Sequence, residues 1–153
     1  MTESIRAGLC RPVLFMALLA ALTAASCRFS DRRERIETNV ALLSALADKL
    51  ADYCRASFKL DGRELTSEEM GEFYYALSRA RAHSPGTSAG AQPNIGAEYE
   101  NFLTEYERFV READQYRLSQ PREPARLDAL MRQHAALRTR ATELLARARS
   151  SHQ

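Results

Sequence analysis

Tyr99-Glu100-Asn101-Phe102-Leu103-Thr104-Glu105-Tyr106-Glu107-Arg108-Phe109-Val110-Arg111-Glu112-Ala113-Asp114-Gln115-Tyr116 is the stretch whose reading decides the fold. Apolar side chains, most of them aromatic, recur at 99, 102, 106, 109, 113 and 116, in steps of three and four, with Leu103 and Val110 beside them. A strand would alternate every second residue; this spacing puts the rings on one stripe of an α-helix. Its repeat of about 3.5 residues is that of helices packed side by side in a bundle. Most positions between the rings are acidic or basic, which suits the faces turned to water.

Three further segments carry the same periodicity. The first runs from about Asp31 to Phe58, with a seam of Ile36, Val40, Leu43, Ala47, Leu50 and Cys54. Leu42, Leu46 and Tyr53 widen it, and Asp31 with Glu34 reads as a capping box. The turn dipeptide Asp61-Gly62 ends this segment. The second, about Ser67 to His83, has a Thr66/Glu69 capping box and a seam of Met70, Phe73, Leu77 and Ala80 beside Tyr74. Ser84-Pro85-Gly86 stops it, and a polar loop runs to Gly96, placed to cover core that this short helix leaves open. The aromatic segment is the third, from about Ala97 to Leu118. The fourth, about Pro124 to Arg149, starts on a proline suited to a first helical turn. Its seam is Leu127, Leu130, His134, Leu137, Ala141, Leu144 and Ala148, broadened by Met131 and Leu145. Connections of roughly 4–8 residues favour antiparallel neighbours. The predicted fold is all-α: an antiparallel up-and-down bundle of about four helices, helix two short, following an N-terminal signal peptide.

Residues 1–26 have the three parts of that signal. Arg6 and Arg11 make a basic start, Val13 to Ala25 an apolar centre, and Ala24, Ala25 and Ser26 a run of small residues. The apolar run is about 14 residues against the ~20 of a spanning helix, so a permanent transmembrane segment is the weaker reading. Ala24-Ala25-Ser26-Cys27 resembles the lipobox of bacterial lipoprotein precursors. The resemblance implies cleavage before Cys27, acylation of its thiol by chains such as palmitate, and attachment to a membrane of the bacterial envelope. Arg28 follows in place of the Asp that retains such proteins at the inner membrane of enteric-type bacteria, so the outer membrane is favoured, with the domain in the periplasm or at the cell surface. The expected organisation is a cleaved signal at 1–26, a lipidated cysteine and short tether at 27–30, a helical domain at 31–149 and a tail at 150–153.

The chain carries a net charge of +2, and loss of the signal leaves it close to neutral. That balance and export exclude nucleic acid as a partner, whose binders carry a strongly basic footprint. Cys10 leaves with the signal and Cys27 takes the lipid, so Cys54 has no cysteine to pair with inside the chain. It reads as a small core residue, with a bridge between chains as the minor alternative. The third segment is biased towards acid and the fourth towards arginine, which suits helices packed against each other. The sharper alternative gives the fourth a protein partner or an anionic membrane surface.

No catalytic constellation emerges, and the protein is expected not to be an enzyme. His83, His134 and His152 have no metal-ligand spacing, and Glu-x-x-His is absent, so neither metal nor cofactor is expected. Gly62 at the sixth position of a calcium loop would put Lys59 at the third, where an oxygen ligand is needed. Glu68, Glu69 and Glu72 form the one carboxylate cluster, at a helix start that favours acid in any case. His134 is the polar member of its seam and is expected to bond an acid or tyrosine from the first or third helix. Tyr99, Phe102, Tyr106 and Phe109 are either core or the lining of a pocket for a small apolar ligand. The sequence therefore points to a lipid-anchored, non-catalytic helical domain with an interaction or structural role in the envelope. Its expected partners are the membrane, through Cys27, and an envelope protein, with a second copy of the chain also admitted. The alternative is a binder or carrier of a small apolar ligand.

Overall fold

The computed structural model describes residues 10–58, 65–82, 84, 93–119 and 121–150, with side chains from Arg33 onward. Four helices account for almost all of these: α1 (Cys10–Phe58), α2 (Ser67–Ala82), α3 (Pro93–Leu118) and α4 (Pro124–Ser150). The chain divides into two compact units, Met1–Arg33 and Glu34–Gln153. In the first, the described backbone is helical from Cys10. The second holds the bundle.

Two helix starts depart from the sequence reading. Helix α1 runs from Cys10, so Asp31 lies inside a helix and not at its start. The Ala- and Leu-rich stretch before it has high helix propensity and carries the helix straight through. Helix α3 starts at Pro93, four residues ahead of Ala97. Proline is preset for a first turn, and Gly96 does not break the helix it opens. At the far ends α2 stops at Ala82 and α4 reaches Ser150. The middle of the expected loop, 85–92, lies outside the described residues.

The bundle's direction can be read from its polar contacts. Between α3 and α4, Glu98 pairs with Arg147, Glu105 with Arg140 at 2.9 Å, and Glu112 accepts from Gln133 at 2.5 Å. Positions rising along one helix fall along the other, so the two are antiparallel. The same holds for α1 and α4, where Glu37 meets Arg149 and Asp48 meets Arg138. Asn39 of α1 and Ala80 of α2 both reach the Tyr99 hydroxyl, whereas Lys49 meets Glu72, so α1 and α2 also run oppositely. Up-and-down topology follows.

Every expected seam except Leu127 is buried, and Leu127 packs partly covered against the core. Tyr99, Phe102, Leu103, Tyr106 and Val110 have no exposed surface. Each large apolar side chain buried this way contributes roughly 1.5–3 kcal/mol. The core also holds small residues, Ala47 and Ala51 on α1 and Ala141 on α4, all buried. Small residues on neighbouring helices leave volume for the aromatic stripe at normal packing density.

Candidate functional site

The four aromatics of the suspected pocket are brought together on α3 and lie in the core. Their polar handles differ. The Tyr99 hydroxyl accepts from Asn39 Nδ2 at 2.9 Å and donates to the Ala80 carbonyl at 3.3 Å, tying α1, α2 and α3 together at one level. Burial raises its pKa above the usual tyrosine value, opposed by the Asn39 hydrogen bond. The Tyr106 hydroxyl is buried with no hydrogen-bond partner, and burial alone drives its pKa strongly upward. Tyr116 also has a buried hydroxyl without a partner.

His134 is 5 % exposed and its Nε2 lies 2.7 Å from Asp48 Oδ1 on α1. The acid expected from the first or third helix is therefore Asp48. Arg138 approaches the same carboxylate at 3.6 Å, and the Phe109 ring sits 5.8 Å from the imidazole, tilted by 32°. The histidine is held between one apolar ring and one carboxylate that reaches solvent, a satisfied polar insert in the seam.

Cys54 is a buried free thiol. Burial raises its pKa from 9.0 to about 11, against the opposing pull of Arg122 and Arg55. A thiol held protonated in this way is a poor nucleophile. The Glu68/Glu69/Glu72 cluster separates into different tasks. Glu69 accepts from the Thr66 amide at 2.9 Å while Thr66 Oγ1 accepts from the Glu69 amide at 3.2 Å, completing the capping box. Glu72 turns to Lys49 at 3.9 Å, and Glu68 is exposed. Among the described residues no group of three His, Cys, Asp or Glu is placed to hold a metal ion. His83, His152 and the Cys27 side chain lie outside the described residues.

Sequence reasoning missed two arginines. Arg122 Nη1 donates to the Ser57 carbonyl at 2.8 Å, in the last turn of α1. Arg117 holds Asp114 through two nitrogens and donates to the Leu65 carbonyl at 3.1 Å, just ahead of α2. Carbonyls in the last turn of a helix lack partners within it, and Arg122 supplies one to Ser57; Arg117 does the same for the Leu65 carbonyl in the connection ahead of α2. Neither residue stands in a motif, so only the fold reveals the pairing.

No protein-family model, curated protein or solved structure matches this chain.

Proposed function

We propose that this is a lipid-anchored bacterial envelope protein whose helical domain acts by contact with other molecules and not by catalysis. The carrying observation is Cys27 directly after Ala24-Ala25-Ser26 at the end of a basic, then apolar, N-terminal run. Acylation there inserts chains worth about 0.8 kcal/mol per buried methylene, and more than one chain gives stable attachment. A well-buried helical core supports the reading, because it lets the bundle offer an ordered helical surface. Several of its polar side chains also have structural partners: Glu69 caps, His134 bonds Asp48, and Arg117 and Arg122 hold carbonyls. Membrane fractionation tests it. The wild type is expected in the envelope membrane fraction and Cys27→Ala in the soluble or unprocessed fraction; identical distribution of both overturns the reading.

A second reading is favoured by one specific observation. The Tyr106 hydroxyl, buried without a partner on the stripe of Tyr99, Phe102 and Phe109, is a free hydrogen-bond handle in the core. A small, mainly apolar ligand with one polar atom would satisfy it. Native mass spectrometry of protein taken from its host would carry such a ligand, and Tyr106→Phe would lose it. Ligand-free protein in both cases removes this reading.

A further inference from the structure

Helix α1 carries more apolar surface than the bundle uses. Besides its buried seam it has a second row, Leu42, Leu46 and Tyr53, in steps that share a side with Lys49. Glu37 and Asp48 reach across to α4, and Lys49 reaches the other way to α2. The second row therefore borders α2 on the outside of the α1–α2 pair. Leu42 is 48 % exposed, while Leu46 and Tyr53 are only partly covered. On α2, Tyr75 is 70 % exposed and stands one turn after Glu72's level. The residues from Thr38 to Ala47 include no charge at all, in contrast with the arginine-bearing outer side of α4. A patch with a tyrosine anchor, two leucines and a charged rim has the make-up of an interface.

We propose that this α1–α2 face docks a second copy of the chain about a two-fold axis parallel to the helices. In that arrangement α1 of each copy lies against α2 of the other, antiparallel, repeating the α1–α2 contact made within one chain. Charge complementarity favours this occupant. Lys49 and Glu72 are both exposed and 3.9 Å apart, so they stand at one level. The two-fold puts each beside the opposite charge of the copy, and the four groups form an alternating cluster. Leu46 then faces the copy's Tyr75, and Leu42 lies one turn further along the same row. The axis keeps both α1 helices pointing the same way, which two copies on one membrane require. That last point rests on the anchor reading; the contact itself does not. A two-helix face is small, so the contact is weak in solution and strengthened where copies are confined together.

Crosslinking tests the arrangement in the full chain in its own envelope. Differently tagged copies carrying Leu46→Cys and Tyr75→Cys are expressed together and exposed to a mild oxidant. A disulfide-linked heterodimer is expected, well above the wild-type background from native cysteines. Replacing the second copy by Ala136→Cys, on the exposed side of α4, should give none. Adding Leu42→Glu to both copies is expected to cut the heterodimer about tenfold. Circular dichroism should stay that of a folded helical protein, which separates a lost contact from a lost fold. Absence of the heterodimer, equal yield with Ala136→Cys, or crosslinks made only to a different protein would overturn the proposal. Fatty-acid labelling at Cys27, read separately, decides the anchor independently of this result.

Discussion

At the residue scale the core separates polar groups that are satisfied from those that are not. Tyr99 and Tyr106 are one heptad apart on the same stripe, yet only Tyr99 has partners for its hydroxyl. Tyr99→Phe removes both bonds and is expected to lower stability by about 1 kcal/mol. Tyr106→Phe removes an unsatisfied buried hydroxyl and is expected to leave stability unchanged or raise it. Urea midpoints of the two variants check this; equal losses would contradict it. Asp48→Ala leaves the buried imidazole without its acceptor and should cost ~1–3 kcal/mol, whereas Asp48→Asn keeps an acceptor and should cost less. Cys54 gives a pH dependence. Its native pKa lies near 11 instead of 9.0, so the fold favours the protonated thiol. Stability is unaffected below about 9, falls as pH rises from there, and stops falling from this source above about 11. Cys54→Ala should flatten that alkaline decline in denaturation curves, and an undiminished decline would assign it to other groups. The seam position of His134 announced a buried imidazole; its partner was not legible, because Asp48 is one of many surface acids until the register is known.

At the element scale, legibility followed the strength of local chemistry. Thr66 and Glu69 announced the start of α2, and the reciprocal bonds are present. Thr66→Ala is expected to cost about 1 kcal/mol in thermal or urea denaturation. Asp31 and Glu34 made an equally good pair on paper, but the helix-favouring residues ahead of them let α1 continue upstream. In a chain cut before Cys27 that competition disappears, and Asp31 becomes available as a cap. The start of α3 was less legible because Pro93 to Gly96 reads as the end of a polar loop, whereas Pro93 sets the first turn. The clamps Arg117 and Arg122 were invisible, since each bonds a backbone carbonyl more than fifty positions away. Arg122→Ala should therefore loosen the end of α1 without unfolding the bundle. Hydrogen exchange should rise in the last turn of α1 and stay unchanged in the middle of α3.

At the scale of the whole molecule, a three- and four-residue apolar step repeated in four segments was enough for the all-α bundle, because no other packing buries four such stripes at once. The opposite charge of the third and fourth segments was legible as mutual complementarity, and Glu98–Arg147 and Glu105–Arg140 realise it. Those arginines are occupied within the chain, which shifts attention for outside contacts to the α1–α2 face, with its leucines and Tyr75. The proposed anchor at Cys27 is a separate question from that contact. The central measurement is metabolic labelling with a radioactive fatty acid, followed by mass analysis of the mature N-terminal peptide. Wild type is expected to carry label on a peptide beginning at Cys27, and Cys27→Ala to carry none. Equal labelling of the two, or an unmodified wild-type N-terminus, would contradict the account.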